Sequence, residues 1–261
     1  MFLHLLGTDF RRAVIRVRFW ILSACAALLL YCNTLQNGYA QSVSFVSAMT
    51  DSSFQFTTQI LLILATLGYA AAFCEDWKNR NIRNILVRSG MGRYAVSKVL
   101  TCAVTGMLIL FVGQLLFAGL ELLISPSIYG DGGTAGYQGF GGFDALLYEG
   151  RMAAWVFLRA FRFSLEGAGF SVFALCVSTQ MINSFVILTV PIFAYFLLDF
   201  VRLYSPALPW YLSVYSVYED QSFCFQSIPV HMLLTVLITA LACTLFGYLF
   251  YRGVKRRMEN G

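Results

Sequence analysis

The sequence predicts an all-α polytopic membrane protein, and two observations support that prediction. Of its 261 residues, 59% are hydrophobic and only 12% are charged, whereas about 25% of the residues in an ordinary soluble domain carry charge. The charge-free runs are also long: residues 19–50, 52–74, 99–120, 167–198 and 221–251 contain no Asp, Glu, Lys or Arg. Each run exceeds the roughly 20 residues that a helix needs to cross a bilayer. This composition makes a water-soluble enzyme a poor candidate and excludes a disordered chain.

Polar breaks divide the charge-free runs into six predicted transmembrane helices. They lie near residues 19–36, 56–74, 99–124, 152–178, 183–201 and 228–251. Lipid offers no hydrogen-bond partner to a peptide group, so spanning segments must be helices or strands of a closed barrel. The runs are continuously apolar and do not alternate in the ~10-residue pieces that are typical of barrel strands. A helical bundle that occupies the whole chain, 1–261, as one domain is therefore expected.

Residues 2–18, ahead of the first span, predict a helix that lies on the membrane surface. Apolar side chains recur there every three or four residues, and the arginines lie mostly on the remaining face; the apolar residues are Leu3, Leu6, Phe10, Val14 and Val17. Such an amphipathic helix places its basic side toward anionic headgroups. The alternative is a basic flank that only fixes the topology of the first span.

The distribution of basic residues predicts that both termini are cytoplasmic. Most of the 18 Lys and Arg residues fall into three clusters, at 11–18, 78–98 and 252–257. With six spans, all three clusters lie on one side of the membrane, which the positive-inside rule makes the cytoplasmic side. The opposite loops are mainly acidic, with Arg151 and Arg202 as exceptions.

The segment 75–98, between spans two and three, predicts a short cytoplasmic helix. Ile82, Ile85 and Leu86 form a short apolar stripe within a basic stretch. The helix is expected to end at Ser89-Gly90, because glycine suits a left-handed C-cap.

Residue combinations typical of catalysis are missing from the sequence. It contains only two histidines, His4 and His231, and no zinc-protease pattern, Gly-Xaa-Ser-Xaa-Gly motif or phosphate-binding Gly-Lys-Ser/Thr. The seven cysteines lack the short paired spacing of a zinc site and are interpreted as packing residues. We therefore expect neither enzymatic activity nor a cofactor, and no nucleic-acid partner.

The fourth predicted span contains the clearest set of charges inside the membrane: Arg159, Arg162 and Glu166. Residues four apart share a helix face, so Arg162 and Glu166 are a possible ion pair, with Arg159 one turn earlier. Charges inside a membrane are costly and indicate a pathway or an internal ion pair. In the alternative interpretation, 151–162 forms an outer surface helix and only 163–178 enters the lipid.

The 75–98 segment resembles the membrane subunit of ABC-2-type ABC transporters of the bacterial bacitracin- and lantibiotic-resistance kind. A span ends in Phe73, the acidic Glu75 follows, a basic-apolar helix passes through Ile85 and Leu86, and Lys98 opens the next span. In that family the corresponding loop holds the coupling helix, which docks on a separate ATPase subunit. The six spans and the amphipathic N-terminal helix also match the family.

The resemblance implies a role for each matching residue and a set of partners. Glu75 matches the acidic position after span two and Lys98 the basic position at the start of span three; Ile82, Ile85 and Leu86 match the apolar docking face, with Arg83 and Arg88 as its rim charges. It further implies two permease subunits, identical or different, with two ATPase subunits that bind the ATP. The expected function is export of a hydrophobic or amphipathic substrate (a peptide, lipid-linked molecule or drug) across the bacterial cytoplasmic membrane.

Two other functions stay open at this point. One is a stand-alone secondary transporter or channel, and the other is a non-transporting membrane sensor or assembly protein. An ATPase partner distinguishes the exporter from both.

Overall fold

The computed structural model describes residues 2–36, 44–51, 55–78, 82–125, 127–129, 143–204, 217–218 and 228–260. Helices make up most of these residues, and no β-strand occurs among them. In chain order the helices are α1 (Phe2–Val14), α2 (Val17–Gln36), α3 (Phe45–Asp51), α4 (Gln55–Tyr69), α5 (Ala72–Lys78), α6 (Ile82–Ser89), α7 (Met91–Ile124), α8 (Asp144–Tyr148), α9 (Met152–Ser178), α10 (Ser184–Tyr204) and α11 (Ile228–Asn260). The predicted all-α class is confirmed.

Five helical segments are long and apolar enough to cross a membrane, as expected for a multi-pass membrane protein. They are Val17–Gln36, Thr57–Lys78, Met91–Ile124, Met152–Ser178 and Ile228–Glu259. The remaining predicted span corresponds to α10, which has 21 residues, contains Pro191 and includes the shorter apolar stretch Phe185–Leu198.

The helix α7 lies at the centre of the bundle and packs against α2, α4, α9 and α11. Its closest partner is α9, and glycines allow this approach. A methyl group added at Gly106 would lie 2.7 Å from the carbonyl oxygen of Gly167, and one added at Gly167 would lie 2.9 Å from the carbonyl oxygen of Gly106. Small residues let two helix backbones touch in this way inside a membrane.

One end of the bundle brings the basic segments of the chain together. Asp9 of α1 and Asp76 of α5 both bind Lys98 near the start of α7. At the same end, Arg257 of α11 donates to the backbone carbonyls of Thr179 and Gln180, which follow α9. We call this the basic end, defined by α1, α5, α6, the start of α7, residues 179–180 and the last turns of α11.

The N-terminal helix is shorter than predicted, because α1 ends at Val14 and α2 begins at Val17 after a bend at 15–16. Leu3 and Phe10 of its apolar stripe are exposed. The helix is buried instead through Asp9 and Ala13, on the neighbouring face. Leu3 and Phe10 are thus open to the surroundings, while Asp9, Ala13 and the partly buried Val14 attach the helix to the bundle.

Candidate coupling site and buried charges

The short helix predicted between spans two and three is present as α6, and it ends at Ser89 as expected. Gly90 follows with φ 78° and ψ 147°, a combination that is essentially restricted to glycine. Its N–H donates to the carbonyl of Leu86, and its own carbonyl accepts from the N–H of Tyr94. Gly90 therefore connects α6 to α7 without an intervening loop.

The apolar stripe of α6 faces the bundle. Ile82 and Leu86 are only 4% and 8% exposed, and with the partly buried Ile85 they pack into a core that includes Tyr94 and Val254. The expectation that these three side chains form an exposed docking face needs correction, because the fold uses them to hold α6 in place. A periodic stripe shows which side chains share a face but does not show what covers that face.

The outer surface of α6 consists of other residues. Val87 is 88% exposed, and Arg88 beside it is also exposed. Arg83 lies on α6, but its side chain is outside the described part of the structure. Val87 is an exposed apolar side chain at the basic end, and it is therefore a candidate contact for a partner protein.

Lys98 is buried, with 1% of its surface exposed, and its ammonium group has three close acceptors. Nζ lies 3.0 Å from Asp9 Oδ1 and 2.9 Å from Asp76 Oδ2. It also donates to the hydroxyl of Tyr69 at 3.0 Å. The ammonium group donates hydrogen bonds to Asp9 and Tyr69, and the Asp76 carboxylate lies beside it as a second countercharge. Lys98 therefore has almost no surface that a partner protein could contact.

The two carboxylates are satisfied by further hydroxyl groups. Asp9 accepts from Tyr69 Oη at 2.8 Å and from Ser97 Oγ at 2.8 Å. Asp76 accepts from Tyr94 Oη at 3.1 Å, and Arg12 lies 3.9 Å away as a partly exposed second cation. We call this set the Lys98 network; its members are Asp9, Arg12, Tyr69, Asp76, Tyr94, Ser97 and Lys98.

The Lys98 network joins four helices that are far apart in sequence: α1, α4, α5 and α7. Buried charges are costly unless paired and fully hydrogen-bonded, and here the pairing comes from two aspartates and three hydroxyl groups. The rings of Tyr69 and Tyr94 also lie 5.2 Å and 5.5 Å from Nζ. Movement of any one of these helices alone would break contacts to a buried charge.

Sequence reasoning missed most of this network and chose the neighbouring acidic residue. Glu75, the predicted acidic position, is exposed, whereas Asp76 is buried against Lys98. Glu75 instead lines a small cleft between α1 and α4–α5, together with Arg12, Arg16 and Arg18. One available signal was Asp9, the only acidic residue within positions 1–50, since a lone acid in a basic helix suggests a specific partner.

The charges of α9 are buried on one continuous helix that begins at Met152 and ends at Ser178. Arg162 and Glu166 are each 1% exposed, and Arg159 is 8% exposed. Residues 152–162 are therefore continuous with 163–178 and do not form a separate helix. At 1.5 Å per residue, Glu166 lies roughly 18 Å and Arg159 roughly 28 Å of helix away from Ser178, toward the end opposite the basic end.

The described hydrogen bonds of the two arginines reach segments outside the five spanning helices. Arg162 Nε donates to the carbonyl of Val217 at 2.9 Å, and an Arg159 guanidinium nitrogen donates to the carbonyl of Thr50 at 3.2 Å. Their guanidinium carbons lie 5.8 Å from the Phe143 ring and 5.4 Å from the Trp155 ring, respectively. These arginines thus attach α3 and residues 217–218 to α9.

Among the residues that the structure describes, no group of three or more His, Cys, Asp or Glu side chains could hold a metal ion. The described cysteines are free thiols. In comparisons with known proteins, no family model, no curated protein and no solved structure matches this chain.

Proposed function

We propose that the chain is the permease subunit of an ATP-driven ABC-2-type exporter in the bacterial cytoplasmic membrane. It has six spans, including α10, and both termini face the cytoplasm at the basic end. A separate nucleotide-binding subunit binds and hydrolyses ATP, so this chain contributes no catalytic residue and no cofactor site. A second permease subunit, identical or different, completes the transport route.

The observation that carries this proposal is the construction of α6. This eight-residue helix is attached to the bundle by Ile82 and Leu86 and exposes Val87 and Arg88. It lies between the end of span two and the start of span three, where the resembling family has its coupling helix. A helix that is fixed to the bundle through its buried face and exposes an apolar residue on its outer face is suited to transmit force from a docked protein.

The Lys98 network provides a path from this contact to the membrane helices. A displacement of α5 and α6 acts on Asp76, and Lys98 connects Asp76 to α7 and to Asp9 of α1. The cleft of Glu75, Arg12, Arg16 and Arg18 lies beside this path and offers charges to the same partner. ATP binding can shift the permease between two states only if the docked partner contacts those states differently.

The proposed cargo is hydrophobic or amphipathic. An apolar cavity of about 210 Å³ lies between α9, α10 and α11, and its walls include Phe170, Phe173 and Phe246. Gly169 also lines it and lies roughly 14 Å of helix from Ser178, near the middle of the membrane. Aromatic walls at that depth favour an apolar ligand group over a solvated ion.

The proposal is tested by purifying the tagged chain from its native membranes in mild detergent. We expect a nucleotide-binding subunit to co-purify and to give Mg-ATP hydrolysis. Val87→Asp should reduce recovery of that subunit at least about tenfold, because a charge placed in a docked apolar contact is costly. Ile128→Asp is the matched control: it is an exposed apolar residue at the opposite end and should leave recovery unchanged.

Recovery of the ATPase subunit is measured by mass spectrometry of the purified complex. Correct folding of both variants is verified by their thermal unfolding in detergent. If wild-type chain purifies with no nucleotide-binding subunit, or if Val87→Asp retains it fully, the coupling assignment is wrong.

A stand-alone secondary transporter is the second candidate, and the charges of α9 favour it. Arg159, Arg162 and Glu166 are buried in the half of the bundle away from the basic end, and ionisable groups inside membranes commonly mark ion pathways. Transport by the chain alone in proteoliposomes, driven by an ion gradient without ATP, would establish this second function. A sensor or assembly protein would show neither activity.

A further inference from the structure

An apolar groove runs along the outside of the bundle where α7 and α11 lie side by side. It has a volume of about 460 Å³ and extends over residues 92–103 of α7 and 243–251 of α11. Its walls are open to the surroundings, since Val96 is 49% and Tyr248 55% exposed. At Gly247 the two helices nearly touch, because an added methyl group would lie 3.1 Å from Val99.

The length and position of the groove match one leaflet of a bilayer. Residues 92–103 correspond to roughly 16 Å of helix, about half of a ~30 Å hydrocarbon core. The groove starts at the basic end, near Gly92 and Tyr251, and stops at the depth of Ala103 and Cys243. A single acyl chain that enters from the basic side would occupy this length.

Three basic side chains lie where the groove opens at the basic end. The Arg252 guanidinium carbon lies 5.4 Å from the ring centre of Tyr248, which lines the groove. Lys255 follows Tyr251 by one turn on the same face and is exposed, with Glu259 3.8 Å away. Arg93, next to Gly92, is exposed in the first turn of α7.

We propose that this groove binds an anionic phospholipid of the cytoplasmic leaflet, with one acyl chain between α7 and α11 and the phosphate at Arg93, Arg252 and Lys255. The choice of leaflet depends on the orientation given under the proposed function, whereas the pairing of acyl chain with basic residues does not. Charge complementarity favours lipid over a second copy of the chain. A two-fold interface places the same patch on both subunits, so these cations would face each other.

Native mass spectrometry of the purified full-length chain tests this proposal. The probes are dioleoylphosphatidylglycerol and dioleoylphosphatidylcholine, which have identical acyl chains and differ in headgroup charge. We expect one phosphatidylglycerol per chain, bound at least roughly tenfold more tightly than phosphatidylcholine, because each nearby Lys or Arg contributes roughly a fivefold gain toward an anionic lipid. Arg93→Gln, Arg252→Gln and Lys255→Gln combined should remove this preference.

Matched variants separate the headgroup site from the groove. Arg11→Gln removes an exposed cation of α1, at the same end but outside the lining of the groove, and it should retain the preference. Gly92→Leu places a side chain where an added methyl group meets nothing within 4 Å, and it should weaken binding of both lipids by obstructing the groove.

Several results would overturn the lipid site. These are equal binding of the two lipids, full preference in the triple variant, or binding of glycerol phosphate without acyl chains as tightly as the lipid. A dimer that Gly92→Leu abolishes would assign the groove to a second copy. Failure to find an ATPase partner would leave this result unaffected, so the two proposals fail separately.

Discussion

Lys98 at the basic end and the arginines of α9 in the opposite half are all buried cations, but the structure satisfies them differently. Lys98 is surrounded by Asp9, Asp76 and the Tyr69 hydroxyl, which come from three other helices. The described hydrogen bonds of Arg159 and Arg162 go to single backbone carbonyls, those of Thr50 and Val217. The contacts of Lys98 join charges on different helices, and the described hydrogen bonds of the arginines fasten adjoining segments to α9.

This difference determines which groups lose a partner when each cation is removed by mutation. Without Lys98, two carboxylates that accept several hydrogen bonds lose their main countercharge inside the protein. Without Arg162, the Val217 carbonyl keeps a longer hydrogen bond, at 3.3 Å, from Thr235 Oγ1. At these described contacts, a buried carboxylate that loses its ion-pair partner costs more than the Val217 carbonyl that loses one of its two donors. The variants described next compare these losses of stability.

The largest effect is expected for Lys98→Met. Met keeps the volume and flexibility of the lysine stem, but it leaves Asp9 and Asp76 without the ammonium group. Breaking a buried ion pair costs about 3–5 kcal/mol, so we expect a large fall in thermal unfolding temperature in detergent. The loss should be greatest at α1, which hydrogen exchange measures directly.

A triple variant provides the control for that change. Lys98→Met combined with Asp9→Asn and Asp76→Asn removes the charges together and should recover most of the lost stability. If Lys98→Met alone unfolds at the wild-type temperature, the aspartates are held by other groups and the Lys98 network does not join the four helices.

A smaller effect is expected for Arg162→Met. Loss of the hydrogen bond to Val217 should cost about 1–3 kcal/mol and should increase hydrogen exchange at residues 217–218 while leaving α1 unaffected. Stability is measured by thermal unfolding beside Lys98→Met. If Arg162 forms the predicted ion pair with Glu166, a different result is expected. Arg162→Met would then lower stability as much as Lys98→Met, and adding Glu166→Gln would restore it.

The membrane character of the chain could be predicted from sequence because a bilayer constrains every residue of a span. Only contiguous apolar residues can cross lipid as a helix, so the charge-free run at 99–120 identified α7 without knowledge of its partners. The end of α6 at Gly90 was also predictable, because glycine commonly ends a helix, although Gly90 has an extended ψ of 147° and not the expected left-handed C-cap. Both properties depend on local chemistry alone.

The contacts of the candidate site could not be predicted in the same way, because they depend on helix phase and on what covers each face. Glu75 and Asp76 are adjacent in sequence, and a rotation of about 100° along a helix separates an exposed carboxylate from a buried one. Similarly, Ile82 and Leu86 form the expected stripe, but the stripe packs against the core that contains Tyr94. In both cases the residues of the segment alone do not determine which of its side chains face the core.

The smallest expected effect lies within the Lys98 network and compares two tyrosines. Tyr94 Oη donates one hydrogen bond, to Asp76 at 3.1 Å, whereas Tyr69 Oη donates to Asp9 at 2.8 Å and accepts from Lys98 at 3.0 Å. Phenylalanine retains either ring near Nζ, so each substitution tests the hydroxyl alone. Tyr94→Phe should cost about 1 kcal/mol and Tyr69→Phe roughly twice that, as measured by thermal unfolding. The reverse order would mean that the hydrogen bond from Tyr94 to Asp76, which joins α7 to α5, stabilises the fold more than the two hydrogen bonds of the Tyr69 hydroxyl.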